Sequence, residues 1–80
     1  MKKLSLKLLS DIVISHRKTK NITQTQLSKL TGINRTLLSR LESQDFTPSV
    51  DQLEALSEVL SFDVAAVMVD SDTTAAIKGG

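Results

Sequence analysis

The sequence contains no cysteine and no tryptophan or tyrosine, and it has only one histidine, one proline and two phenylalanines. The lack of cysteine excludes disulfides, thiolate metal sites and thiol catalysis. With His16 alone and no cluster of carboxylates facing a plausible cleft, the chain offers no acid–base pair and no set of metal ligands. We therefore expect no enzyme activity, no catalytic residue, no metal and no cofactor.

Long apolar runs are also missing. The N-terminal segment is rich in leucine and isoleucine, but Lys7 and Asp11 interrupt it and no small-residue cleavage site follows. A helix needs about 20 consecutive apolar residues to span a bilayer. We therefore expect a cytoplasmic protein with no membrane partner.

Eighty residues are enough for one small domain. The scarcity of aromatic residues predicts an aliphatic core. Residues 1–69 carry the apolar periodicity and are expected to form the domain. The small and polar residues 70–80 predict a flexible C-terminal tail or a connection to a further domain.

The charges are divided unequally along the chain. Residues 1–40 contain nine basic and one acidic side chain, a net charge of +8, whereas residues 41–80 contain one basic and eight acidic side chains, a net charge of −7. The overall charge of +1 conceals this division. A basic half beside an acidic half is typical of a protein that presents one end to a polyanion.

Residues 23–43 predict two short helices joined by a tight turn. Thr23 and Gln26 have the spacing of a capping box at the start of the first helix. Gly32 fits the left-handed residue that ends it, and Asn34 can cap the second helix. Two short helices joined by about four residues with a glycine are typical of a helix-turn-helix.

Apolar periodicity along the whole chain predicts an all-α fold. The expected helices span residues 4–19, 24–31, 35–43, 50–60 and 64–69. The last segment is short and rich in valine, so a strand is an open alternative there.

The outward face of the helix at 35–43 lies opposite Leu38 and Leu41 and contains no acidic residue. Its hydrogen-bonding side chains are Arg35, Thr36, Ser39, Arg40 and Ser43. Base edges in the major groove and the phosphates along it offer acceptors to such side chains. The alternative for the two arginines is an ordinary solvated face.

Several motifs occur together in one register. They are Thr23-Gln24, the small Ser28, Gly32, the run Ser39 to Glu42, and Pro48-Ser49 before a leucine-rich helix. With these motifs, the chain from about Ile12 to Met68 resembles the Cro/repressor (XRE-type) DNA-binding family. The resemblance implies a five-helix domain with helices 2 and 3 as the helix-turn-helix. It also implies a sequence-specific regulator of transcription, most simply a repressor that binds a palindromic operator in double-stranded DNA as a homodimer.

The resemblance also implies roles for single residues. Gln24 would bind a phosphate and brace the first side chain of the recognition helix. Arg35 and Thr36 would read bases, and Arg40 would contact a base or a phosphate. The DNA-binding residues expected in all are Gln24, Asn34, Arg35, Thr36, Ser39, Arg40 and Ser43. Arg17 and Glu42 would form a structural ion pair.

Some positions depart from the family pattern. Gln44 stands where a glycine usually ends the recognition helix, and Asp45 follows where a basic or polar residue is common. An acid there would repel DNA if it faced the phosphates. Leu37 would either touch a thymine methyl or pack against the core edge. His16 replaces an aliphatic residue and is expected to be a neutral histidine at the edge of the core.

The apolar residues after the fourth helix exceed what one short segment is expected to bury. Val64, Val67 and Met68 are therefore predicted to form a dimer interface. A second function with the same fold is the antitoxin of a toxin–antitoxin pair, which also captures a partner protein. A third is a helical protein-interaction module that does not bind DNA.

Overall fold

The computed structural model describes residues 2–70, which form four α-helices, one 3-10 helix and two short strands. In chain order these are β1 (Lys2–Leu4), α1 (Leu6–Thr19), α2 (Gln24–Thr31), α3 (Arg35–Glu42), α4 (Val50–Leu60), the 3-10 helix (Val64–Val67) and β2 (Met68–Asp70). Within residues 2–70, no helix is long and apolar enough to cross a membrane.

Polar side chains fix where the helices begin. In the capping box of α2, Thr23 Oγ1 accepts from the Gln26 N–H at 3.1 Å, and Gln26 Oε1 accepts from the Thr23 N–H at 2.9 Å. Ser49 and Gln52 form the same box at the start of α4. Each box satisfies two backbone donors that the first turn of a helix leaves without an intrahelical acceptor. Local sequence therefore determines the starts of α2 and α4.

A left-handed residue lies just after the end of each of the four α-helices, and after α1 it is Asn21 at φ 57°. Gly32 ends α2 at φ 76°, which a residue without a Cβ adopts freely. Gln44 after α3 and Ser61 after α4 adopt φ values of 61° and 59°. Neither has the freedom of glycine, so each accepts backbone strain of about 1 kcal/mol or more. At Gln44 the helix thus ends without the glycine that the resemblance implies at this position.

The core is aliphatic and draws on every helix. The buried side chains are Leu9, Val13, Leu27, Ile33, Leu38, Leu41, Leu53, Leu56, Leu60 and Val67. Leu38 and Leu41 come from α3 and are fully or almost fully buried. Because residues three apart share one helix face, burying this pair fixes the rotation of α3 about its axis. The opposite face of α3 must then lie in solvent.

The two ends of the described chain differ from the all-α, five-helix expectation. The expected fifth helix is a 3-10 turn followed by β2, and residues 2–4 form β1. The strands pair antiparallel, with Lys3 opposite Val69 and Leu4 opposite Met68. Val69, the β-branched residue of β2, suits this extended pairing better than a helix. Ser5 caps α1, which consequently begins at Leu6 instead of residue 4.

Asp70 lies in β2, opposite Lys2. The sequence predicts a tail over residues 70–80, but the first residue of that range belongs to the folded unit. The rest of the predicted tail, residues 71–80, lies outside the described residues.

Candidate nucleic-acid interface

A shallow groove of about 290 Å³ runs between the start of α2 and the outward face of α3. Its lining residues are Gln24, Arg35, Thr36, Ser39 and Arg40. All five are predicted from the sequence to bind DNA, and the four from α3 are exposed. They come together because the opposite face of α3 is held in the core. The groove thus combines two guanidinium groups, two hydroxyls and one amide without an acid among its lining residues.

Two other predicted residues lie outside the groove lining. Asn34 caps α3, and its Oδ1 accepts the backbone N–H of Thr36 at 2.7 Å. Ser43 caps the other end of the helix. Asn34 therefore positions the first turn of α3, which carries Arg35 and Thr36.

A largely buried network of hydrogen bonds around Arg17 and Glu42 supports the groove on its core side. The Arg17 guanidinium donates to both carboxylate oxygens of Glu42, from Nε at 2.9 Å and from Nη2 at 3.2 Å. The two side chains are only 16% and 10% exposed. Arg17 Nη1 also donates to the carbonyl of Ile22 at 3.1 Å. The structure thus brings the predicted pair together and links α1, the loop after it, and α3.

Gln24 joins the same network. Its Nε2 donates to Glu42 Oε1 at 3.1 Å, so Glu42 receives hydrogen bonds from two helices. The resemblance implies that Gln24 braces the first side chain of α3. In the structure its amide nitrogen contacts the last residue of that helix. Through Glu42, the buried network therefore fixes the spacing between the two walls of the groove.

An exposed ion pair borders the groove at its far end. Arg40 Nε donates to Asp45 Oδ2 at 3.3 Å, and the side chains are 51% and 74% exposed. An exposed pair of this kind contributes at most about 1 kcal/mol to stability. Its location nevertheless places one acid next to a basic side chain that lines the groove.

The residues predicted for a dimer interface divide into two groups. Val67 is fully buried in the core, and its carbonyl accepts the backbone N–H of Ser5 at 2.8 Å. It has no surface to offer a second protomer, and the expectation that this segment is too apolar to bury internally is wrong for Val67. The 3-10 turn and strand account for this because they direct Val67 inward. Val64 and Met68 are partly exposed.

Two further side chains sit at the edge of the core. Leu37 is half-buried and packs against the core cluster. His16 Nδ1 lies 2.9 Å from the carbonyl oxygen of Leu60, and its ring meets Phe62 edge-on with centroids 6.2 Å apart. A carbonyl only accepts, so Nδ1 carries the proton in this contact. His16 thus ties α1 to the end of α4.

Sequence reasoning did not anticipate the pairing of Arg40 with Asp45 or the bond from Gln24 to Glu42. The first depends on the left-handed backbone of Gln44, which glutamine rarely adopts. The second joins residues 18 positions apart, beyond any helical periodicity. The only available signal for the first was an acid five residues after a groove arginine, which is a weak signal by itself.

Among curated proteins, none was found to match the chain. A family model described as helix-turn-helix matches residues 13–66, more than half of the 80 residues. The matched range includes all four groove residues from α3, Gln24, and both members of the buried ion pair. The chain therefore belongs to the XRE-type helix-turn-helix family of DNA-binding transcription regulators.

Proposed function

We propose that this regulator binds double-stranded DNA sequence-specifically, with α2 and α3 as its helix-turn-helix and α3 in the major groove. The observation that carries the proposal is the groove lined by Gln24, Arg35, Thr36, Ser39 and Arg40. Its side chains donate hydrogen bonds from a rigid support, and α3 cannot rotate because Leu38 and Leu41 are buried behind it. A helix of this width fits the major groove of B-DNA.

Arg35 and Thr36 are the proposed base readers. Both are exposed on the first turn of α3, which Asn34 holds by its hydrogen bond to the Thr36 N–H. In a helix-turn-helix, the first residues of the second helix reach the base edges. The planar guanidinium of Arg35 can donate two parallel hydrogen bonds to guanine O6 and N7, a contact that no other base pair offers in the same geometry.

Gln24 and Arg40 are the proposed phosphate contacts. They lie on opposite walls of the groove, one on α2 and one on α3. Phosphate contacts fix the register of the protein on the duplex and supply most of its salt-dependent affinity. The charge of +8 over residues 1–40 supports the same orientation toward the polyanion.

Repression is the simplest regulatory outcome of such binding. A repressor needs only to occupy promoter DNA, whereas an activator also needs a productive contact with the transcription machinery. The proposed active form is a homodimer on a palindrome, because one recognition helix reads too few base pairs to locate a single genomic site. Recognition helices about 34 Å apart would then meet half-sites about 10 bp apart.

The exposed parts of Val64 and Met68 are candidate dimer contacts. The acidic residues of α4 and the segment after it would come close in such a dimer, and their repulsion favours a weak dimer that DNA stabilises. This predicts a concentration-dependent monomer–dimer equilibrium by sedimentation, with the dimer enriched by operator DNA.

The deciding experiment is a binding selection from random duplexes, followed by fluorescence anisotropy on the selected site. Arg35→Ala should lose about 1–3 kcal/mol of binding free energy on that site and flatten the preference at one base pair. Lys29→Ala removes the same charge from α2 outside the groove and should keep the base preference. A selection profile that Arg35→Ala leaves unchanged would show that α3 does not read the bases.

A further inference from the structure

The end of α3 has a hydrogen-bonding pattern that brings Asp45 back to Arg40. The Gln44 N–H donates to the Leu41 carbonyl at 3.0 Å, and the Asp45 N–H donates to the Arg40 carbonyl at 2.7 Å. With Gln44 left-handed at φ 61°, these two bonds form a Schellman motif. The motif places the residue after the left-handed position beside the residue five places earlier in the chain.

In Schellman motifs, an apolar contact frequently joins these two positions. Here opposite charges join them, with Arg40 Nε donating to Asp45 Oδ2 at 3.3 Å. Asp45 is thus attached to Arg40 twice, by its backbone N–H and by its carboxylate. Because the backbone bond already orders Asp45, the side-chain pair loses less conformational entropy than a pair between two free surface residues.

The pair matters because Arg40 also lines the groove. A guanidinium binds phosphate through the same planar N–H donors that bind a carboxylate. A phosphate that approaches Arg40 therefore competes with Asp45 for those donors. Asp45 is 74% exposed, so its charge is also open to phosphates within the Debye length of about 8–10 Å.

We propose that Asp45 is an internal competitor of DNA phosphate for Arg40 and sets the backbone affinity of the regulator. In the free protein, its carboxylate accepts a hydrogen bond from Arg40 Nε. On DNA, a phosphate displaces the carboxylate, which leaves an acid near the duplex. Asp45 thereby weakens binding to every duplex sequence, while Arg35 and Thr36 keep their base preference. The inference rests on the proposed function, since it requires α3 to face DNA.

The test compares wild type, Asp45→Asn, Arg40→Ala and the double variant by anisotropy with a random-sequence duplex over a series of salt concentrations. Asparagine keeps the backbone N–H and the shape of the side chain but removes its charge. Asp45→Asn should tighten binding several-fold at low salt. The slope of log affinity against log salt should steepen by up to about 0.9, because the displaced carboxylate no longer offsets one positive charge beside the duplex. Arg40→Ala should then weaken binding more in the Asp45→Asn background than in wild type.

Glu58→Gln is the matched control. It makes the same change of charge on α4, which contributes no residue to the groove lining. Equal tightening by Glu58→Gln would reduce the effect to net charge and overturn the inference. Unchanged or weaker binding by Asp45→Asn would overturn it too, because Asp45 would then position Arg40 for DNA instead of competing with it. If the effects of Asp45→Asn and Arg40→Ala on DNA affinity simply add in the double variant, Asp45 and phosphate do not compete for Arg40.

The wild-type measurement separates this inference from the proposed function. Wild type that binds the random duplex with a salt-dependent affinity supports the function, whatever Asp45→Asn does. Wild type that does not bind at low salt would overturn both. Thermal unfolding of each variant at the same salt series confirms that the binding measurements compare folded proteins.

Discussion

Two ion pairs that include residues of α3 differ in their surroundings. Arg17 and Glu42 are 16% and 10% exposed and share two hydrogen bonds, whereas Arg40 and Asp45 are 51% and 74% exposed and share one at 3.3 Å. The buried pair has lost most of its water and depends on its partners for compensation. The exposed pair can exchange its partners for water, salt or another anion. An arginine–carboxylate pair is therefore a fixed structural contact at Arg17 and Glu42, whereas the same kind of pair at Arg40 and Asp45 can be replaced by other partners.

The largest expected effect comes from breaking the buried pair. Glu42→Ala leaves the Arg17 guanidinium without its carboxylate in a site that excludes most water, so it should lower the free energy of unfolding by about 3 kcal/mol. Arg17→Ala should do likewise by stranding Glu42. Urea denaturation measures both changes, and Glu58→Ala on the exposed face of α4 should change stability by less than about 0.5 kcal/mol.

The double variant tests whether the two residues act together. Arg17→Ala/Glu42→Ala removes both charges, so it should cost less than the sum of the single changes. If the costs simply add, the two side chains are not coupled, and the difference between the buried and exposed pairs loses its physical basis.

An intermediate effect is expected at Gln24, which connects the scaffold to the groove. Gln24→Ala removes one donor to Glu42 Oε1, while Arg17 still satisfies the carboxylate. The free energy of unfolding should therefore fall by only about 1–2 kcal/mol. Thr25→Ala, at the exposed neighbouring position on α2, is the control for helix propensity. Equal stabilities for the two variants in urea would show that the Gln24 bond makes no net contribution.

The sequence was most informative where structure is local. Thr23 with Gln26 and Asn34 with Thr36 are hydrogen-bonded within three residues, so their spacing alone predicts the helix starts. The inward pair Leu38 and Leu41 follows from helical periodicity in the same way. Because these local features fix where α3 begins and which of its faces is buried, they also determine which side chains α3 presents to the groove.

Non-local features were the ones that sequence reasoning missed. β1 and β2 pair residues from opposite ends of the described chain, such as Leu4 with Met68, and each strand has only three residues. No short stretch of sequence contains both partners, so apolar periodicity suggested a fifth helix over residues 64–69 and left a strand as the open alternative. The burial of Val67 is a consequence of the same pairing. The position of Val67 against the core depends on the pairing of β1 with β2. The residues next to Val67 in the sequence do not predict that pairing.

The smallest expected effect on stability is at the exposed pair, and its size is informative. Arg40→Ala and Asp45→Asn should each change the free energy of unfolding by less than about 1 kcal/mol, with a coupling of about 0.5 kcal/mol or less that falls as salt rises. A urea double-mutant cycle with the proteins used for DNA binding measures this coupling.

A phosphate can displace Asp45 from Arg40 only if the pair is this weak. A coupling as large as that of Arg17 with Glu42 would make the exposed pair part of the scaffold, and DNA could not then displace Asp45 at low cost. A small coupling in unfolding combined with a large one in DNA binding would show that burial separates the structural pair from the regulatory one.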